Sequence, residues 1–341
     1  MPFVKTSRTE LRAVSINHEE CAAKAQKFLM QAEVIGTRTA GRKARCSSIK
    51  LGPVPTCHAT YPSPVELQTK QEIKLTVKAA EHFRIAGERY FFDSSKAYAQ
   101  AAALAAEAQK DPSLAALLFT EAAFVMEKVD SDFATSIAGK AISQHCDASQ
   151  YMNAARLEER MANNHKKKNN FEASIDGYKR ASKLYSAANM NDSADDMNYH
   201  AAYLIGKVGR VRDSAYMYQS LAMAQANRNL TKLNVPNLML RATVLLLSDC
   251  LKHAPELDFS AVRKMVEEAC GLDCRFGESR ENLFLEDILH CIVIRDLDRF
   301  SDCLFYFSSL CEFDDLMLDS LEDVKNVTSQ RAGTKAIKEQ G

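Results

Sequence analysis

Residues that interrupt helices are scarce in this chain. Twelve glycines and eight prolines are spread over 341 residues, and five of the prolines fall before residue 65. Long stretches therefore contain nothing that breaks a helix, and a mostly α-helical protein is expected. An excess of one charge is also lacking, since 44 Lys and Arg balance 44 Asp and Glu. No overall field draws the chain toward DNA, RNA or anionic lipid, so any such attraction has to come from a local patch. Long hydrophobic runs are absent as well. The most apolar stretch, LMLRATVLLL at 238–247, contains Arg241 and is about half the length of a membrane span. No charged-then-apolar leader is apparent, and the ten cysteines (21, 46, 57, 146, 250, 270, 274, 291, 303 and 311) read as reduced cytosolic thiols on apolar helix faces.

The groups that carry common chemistries are missing too. No glycine-rich turn precedes Lys and Ser or Thr, and no GxGxxG follows a strand, so the chain is not expected to hydrolyse ATP. Cys270 and Cys274 have the spacing of one helical turn but no second pair or nearby histidine completes a four-ligand set. The eight histidines (18, 58, 82, 145, 165, 200, 253 and 290) lack the i, i+4 pairing with a carboxylate that metalloproteases use. The adjacent pairs Asp195–Asp196, Glu286–Asp287 and Asp314–Asp315 point about 100° apart on a helix and read as solvated faces. HKKKNN at 165–170 lacks the interleaved aromatics that stack on bases, and no nucleic-acid role is expected.

What is present is a period. At 46% apolar residues the chain can bury a large core. From residue 93 onward polar residues precede segments with apolar positions at i, i+3, i+4 and i+7. The start signals near Asp93, Asp111, Asp130, Asp147, Asn170, Asn191 and Arg212 place one helix roughly every 20 residues, the mark of a helical-hairpin solenoid. Alanines on the stripes, such as Ala97, Ala101 and Ala108, let helices approach closely. The cluster Tyr90, Phe91 and Phe92 reads as a turn packed onto the next helix, with Asp93 as its N-cap and membrane insertion as the alternative.

The expected architecture is all-α and TPR-like, with four regions. Residues 1–64 hold a first amphipathic helix, about 18–35, and a loop containing Pro and the bases Arg38, Arg42, Lys43, Arg45 and Lys50 with no acid from 36 to 64. Residues 65–277 form the solenoid, 278–327 a compact C-terminal bundle of three helices, and 328–341 a polar, frayed tail.

Against this register, several phrases resemble the soluble NSF attachment proteins (SNAPs), adaptors that recruit the AAA ATPase NSF to SNARE bundles. They are AAEHFRIAGERYFFDSSKAYAQAA, FEASIDGYKRASKLYSAANMNDSAD, SRENLFLEDILHCIVIRDLDRFSDCL and EFDDLMLDSL, and the resemblance runs from about 65 to 325. LIGKVGRVRDSA at 204–215 is closer to the gamma type than the alpha type. The resemblance implies a twisted sheet of hairpins whose basic concave face meets a syntaxin-containing SNARE complex, with the C-terminal bundle turned to NSF. It implies no catalytic residue and no cofactor, and a cytoplasmic protein peripherally attached to membranes.

Arg156 and Arg280 match positions where the family keeps a base facing the SNAREs. Other positions depart from the pattern: Asp196 and Pro236 stand where the family has lysines. The NSF-facing acidic cluster falls on His290, Val293 and Ile294, which leaves Glu286, Asp287, Asp296 and Asp298 as the nearby acids. The alpha type's acidic tail with a penultimate leucine is replaced by KAIKEQG, and its membrane-seeking phenylalanine pair by Ile49, Leu51, Val54 and Tyr61 among bases. Electrostatic attachment through Arg38, Arg42, Lys43, Arg45 and Lys50 is the expectation for that loop, a solvated insertion the alternative. A generic TPR-like scaffold for another cytosolic complex, without NSF, is the alternative for the whole chain.

Overall fold

Helical hairpins account for all that the computed structural model describes, which is residues 18–46, 64–228, 234–253, 259–273 and 276–339; among these there is no strand. The chain divides into two compact units, Met1–Leu157 and Glu158–Gly341. In the first, α1 (His18–Cys46), α2 (Pro64–Ile85), α3 (Phe91–Leu104), α4 (Pro112–Met126) and α5 (Ser131–Asp147) each lie against the next. The division falls within α6 (Tyr151–Lys167). In the second, α7 (Phe171–Ala187), α8 (Asn191–Lys207), α9 (Val211–Ala226) and α10 (Val235–His253) continue the same pattern. They are followed by α11 (Ser260–Leu272), α12 (Arg280–Ile294), α13 (Leu297–Leu310) and α14 (Asp315–Glu339).

Small side chains set the helix spacing. Ala80, Ala101, Ala116, Ala122, Ala202 and Ala215 have no accessible surface. Buried serines take the same role and satisfy their hydroxyls across the contact. Ser94 Oγ donates to the Ala80 carbonyl at 2.7 Å, Ser174 Oγ to that of Ala162 at 2.8 Å, and Ser214 Oγ to that of Ala202 at 2.7 Å. A hydroxyl left unbonded there would cost more than the small volume gains. At Gly177 an added Cβ would stand 2.9 Å from Ala162 Cβ.

The turns repeat with a period of 20. Ser149, Asn169, Asn189 and Gly209 all have positive φ (57°, 58°, 59° and 92°). In each turn the next amide closes back on a helical carbonyl: Gln150 on His145 at 2.8 Å, Asn170 on His165 at 2.9 Å, Met190 on Tyr185 at 2.9 Å, Arg210 on Ile205 at 3.1 Å. This left-handed C-terminal cap satisfies carbonyls that the helix end leaves open. Serine pays more than glycine or asparagine for this conformation. Ser149→Gly is therefore expected to stabilise the first unit by about 0.5–1 kcal/mol, seen as a higher urea midpoint; an unchanged or lower midpoint would refute the argument.

Several expected boundaries shift. Asp111 and Asp130 do cap α4 and α5, accepting from the Leu114 amide at 3.0 Å and the Phe133 amide at 3.0 Å. Asp93 does not cap α3, which starts at Phe91 after a tight helical turn, Glu88–Tyr90, that Gly87 opens with φ 100°. Tyr90 stacks on Phe83 with centroids 6.1 Å apart, Lys128 Nζ lies 5.1 Å from the Phe91 ring, and Phe92 is exposed. Asp147 ends α5 instead of starting α6. The first helix runs on to Cys46, well past 35. Residues 36–46 contain no proline, and their Ala, Arg and Lys residues outweigh two glycines. At the other end α14 continues to Glu339, through the stretch expected to fray.

The apolar run at 238–247 is the centre of the second unit. Leu238, Met239, Leu240, Ala242, Leu245 and Leu246 are buried on several faces of α10, which touches α9, α11, α12 and α14. A helix apolar all round belongs inside a core. No helix among the described residues is long and apolar enough to cross a membrane.

Candidate functional site

Arg156 is exposed in the middle of α6, beside the buried Ala154, Ala155 and Leu157, and makes no ion pair among the described residues. The i, i+3 pairing with Glu159 that its sequence neighbourhood allows does not form: Glu159 accepts instead from the Tyr185 hydroxyl at 2.6 Å. Arg156 belongs to the first unit and Arg280 to the second.

Arg280 is the first residue of α12, whose N-cap Ser279 accepts from the Asn282 amide at 3.2 Å. A cation is disfavoured at that helix end, and the chain answers with an acid next to it: Arg280 Nε lies 3.0 Å from Glu281 Oε1. Together they line a cleft of about 380 Å³ with Asp195, Asp196, Tyr199 and Asn237. Asp195 is buried and bridged by Arg228 at 2.6 Å. Desolvation pushes the Asp196 carboxyl above its usual range, and the neighbouring Asp195 adds to this. The surroundings of Arg280 are thus of mixed charge and not a basic stripe.

Glu286 and Asp287 are exposed on α12. Glu286 accepts from the Asn282 side chain at 2.9 Å, and Asp287 lies 3.8 Å from Arg299. Asp296 has a structural duty as the N-cap of α13, accepting from the Arg299 amide at 2.9 Å, and Asp298 is exposed in that helix's first turn. The four acids therefore gather around the α12–α13 corner, where Arg295 turns the chain at φ 62°. Val293 and Ile294 are exposed beside them. Cys291, behind this corner, is buried; burial, with Cys303 adding, pushes its thiol up to about 11, which suits a packed thiol and not a nucleophile.

Of the expected membrane-facing bases, Arg38 is exposed on α1. Arg42, Lys43 and Arg45 belong to the last turns of the same helix, and Lys50 lies outside the described residues, as does Cys274 of the Cys270–Cys274 pair.

Of two carboxylate pairs read as solvated, one member each is not, while Asp196 and Asp315 are exposed as expected. Asp195 is buried against Arg228, and Asp314 takes the charge of Arg241, which is 9% exposed. Asp314 also caps α14 through the Met317 amide at 2.9 Å. Its neighbour Asp315 accepts from the Tyr203 hydroxyl and from Lys207, and Asp319 takes Lys207 at 3.0 Å. Asp323 takes Lys252 at 2.5 Å. Burial and the bond to Asp315 push the Tyr203 hydroxyl up to about 12, while that bond and Lys207 hold the Asp315 carboxyl below its usual range. This row of acids fastens α14 to α8 and α10. Its i, i+4 spacing at 315, 319 and 323 is the signal that sequence reading passed over.

Stacked hairpins with alanine and serine contacts, closed by recurring left-handed turns, define a TPR-like helical-repeat protein. The family model for soluble NSF attachment protein, SNAP, matches residues 67–329, and the chain belongs to that family. It is 21% identical over 200 residues to the alpha-soluble NSF attachment protein of Vitis vinifera, 59% of this chain and 67% of that one. It is 25% identical over 154 residues to a probable vesicular-fusion protein sec17 homolog of Schizosaccharomyces pombe, 45% of this chain and 51% of the relative. The alpha-soluble NSF attachment protein of Dictyostelium discoideum matches at 21% over 190 residues, 56% of this chain and 63% of its own. These matches span between about half and two thirds of the curated relatives. A solved de novo designed helical repeat protein, 15% identical, aligns over 78% of this chain and 100% of its own at a TM-score of 0.15, too low to carry an argument.

Proposed function

We propose that the protein is an adaptor of vesicle fusion that binds a syntaxin-containing SNARE complex and recruits the NSF ATPase to it, with no catalysis of its own. The observation that carries this reading is the family match over residues 67–329. Arg156, exposed and free of ion pairs among the described residues, has its charge available to meet an acidic coiled coil. Arg280 contributes less, because Glu281 already holds it. Glu286, Asp287 and Asp298 present carboxylates for a basic NSF surface, and Asp296 holds the helix that carries Asp298. Such charges give orientation and fast encounter more than affinity, and several adaptors on one bundle would add by avidity.

The test is retention of purified NSF on an immobilised SNARE bundle, with and without this protein. Retention is expected only with it, and Arg156→Glu is expected to weaken SNARE binding roughly fivefold, as loss of an exposed charge contact and its replacement by repulsion would do. SNARE binding without NSF retention would remove the ATPase from the proposal. The mixed charge around Arg280 favours one second reading, a TPR-like scaffold for another cytosolic complex, toward which binding to neither partner would shift the assignment.

Peripheral attachment to an anionic membrane is assigned to Arg38, Arg42, Lys43, Arg45 and Lys50. Positions 38, 42 and 45 fall about one turn apart along α1. Each base near an anionic surface contributes up to ~1 kcal/mol before screening. Changing all five to glutamine should therefore reduce sedimentation with phosphatidylserine vesicles by roughly tenfold or more. Unchanged sedimentation would make this stretch a solvated insertion.

A further inference from the structure

The first unit carries an apolar groove that neither the SNARE nor the NSF reading uses. It runs between α2 and α4 and encloses about 900 Å³. Leu67, Ile73 and Val77 from α2 face Leu114, Leu117 and Leu118 from α4 across it. Ile73 and Leu118 are buried in its floor, whereas Leu67 and Leu117 stand 54% and 55% exposed at its rim. Leucine side chains half in water on both walls, over a floor that is already apolar, mark a surface that gains by being covered.

One wall is charged with a regular spacing. Lys70, Lys74 and Lys78 line the groove, are exposed, and make no ion pair among the described residues. They follow each other at i, i+4 and i+8, a step of about 6 Å along the helix. Two acids also line the groove. Asp111 spends its carboxylate on the Leu114 amide, and Glu81 lies almost a turn beyond Lys78. At the far end α3 finishes in a π turn, Ala105–Gln109, whose Gln109 lines the groove with a buried Nε2 that has no acceptor.

We propose that this groove binds a single amphipathic helix of a partner protein, apolar on the face it buries and acidic along the flank that meets Lys70, Lys74 and Lys78. From Leu67 to Glu81 the wall is about 21 Å long, the length of a 14-residue helix, and leucines at i, i+4 and i+7 fit a helix lying in such a groove. Among the described residues the chain's own acid row does not supply this helix. Its own regularly spaced acids, Asp315, Asp319 and Asp323, are engaged with Tyr203, Lys207 and Lys252. The stretch 47–63 is basic at Lys50 and has no acid. A flat lipid surface would meet the lysines but leave the floor between the helices unfilled.

The probe is a fluorescein-labelled 18-residue helical peptide with leucines on one face and glutamates at i, i+4 and i+8 on its flank. It is titrated with the full chain and followed by anisotropy. Saturable binding is expected, weakened about tenfold or more in K70E/K74E/K78E by the loss of three rim contacts and the repulsion that replaces them, and weakened similarly in L117D. All four positions are exposed, so circular dichroism should show the variants folded. A peptide with lysines for the glutamates should not bind. The proposal is overturned if the acidic peptide shows no saturable binding, if it binds the variants as well as the wild type, or if phosphatidylserine vesicles bind with the same dependence on Lys70, Lys74 and Lys78 while the peptide does not. Arg156→Glu separates this site from the SNARE surface. Peptide binding unchanged in R156E keeps them distinct even if NSF recruitment fails, whereas loss of peptide and SNARE binding together would make the groove part of one surface and overturn a separate site.

Discussion

Asp314→Ala is expected to lower the stability of the second unit by about 3–5 kcal/mol, because it leaves the Arg241 guanidinium buried without its counter-charge. Arg241 keeps a hydrogen bond to Asn237 Oδ1 at 2.9 Å and a place over the Tyr199 ring, 5.4 Å from its centroid, which offset a fraction of the loss. The same substitution uncaps α14 by removing the acceptor of the Met317 amide, a further cost of about 1 kcal/mol. Urea unfolding followed by circular dichroism gives the total, and hydrogen exchange along α14 shows where it falls. A double variant, R241M with D314N, keeps a capping side chain and removes the buried charge, and it should recover most of the stability. A D314A protein within about 1 kcal/mol of wild type would mean that the pair is solvated after all.

The second large effect is expected at Phe307. α13 has two fully buried residues, Phe300 and Phe307, two turns apart. The rest of the helix is open enough that Phe305 is 79% and Tyr306 69% exposed. Phe307 stacks on Phe284 of α12 with centroids 4.2 Å apart and on Phe313 at 5.6 Å. Removing this ring costs the transfer of its own surface and leaves a cavity that two stiff aromatics cannot close. Phe307→Ala should cost about 3–5 kcal/mol, with loss of exchange protection in α13 ahead of the rest of the unit. Uniform loss of protection in α8 through α14 would instead show that α13 unfolds only with the whole unit. Since α13 carries Asp298 and is capped by Asp296, the variant should also weaken NSF recruitment, in keeping with the proposed role of that corner.

The hairpin architecture was readable from local signals. Asp111 and Asp130 act on amides two or three residues ahead, and alanines in stripes announce close contacts without any knowledge of their partners. Charge was readable as to place and not as to state. Asp195 and Asp314 stand in ordinary polar phrases, but their guanidinium partners are 33 and 73 residues away. Only the packing of distant helices turns those acids from solvated groups into buried ones. The same limit applies to the candidate site. Arg156 and Arg280 look equivalent as matches to a family pattern, yet one is unpaired among the described residues and the other is held by the next residue in the chain. The groove between α2 and α4 was invisible for a related reason. Lys70, Lys74 and Lys78 form a row in the sequence, but the leucines that make the row part of a binding surface come from a helix about 40 residues further on.

The four turns centred on Ser149, Asn169, Asn189 and Gly209 set a fixed metre for the chain. One residue inserted inside α7 or α8 would rotate everything after it by about 100°, carrying Ser174 or Ala202 off its contact while leaving composition and hydropathy almost untouched. Between His145 and Arg210 the chain can therefore change its exposed letters but its length only by whole hairpins, so descendants of this sequence should differ there by substitution and hardly ever by a gap.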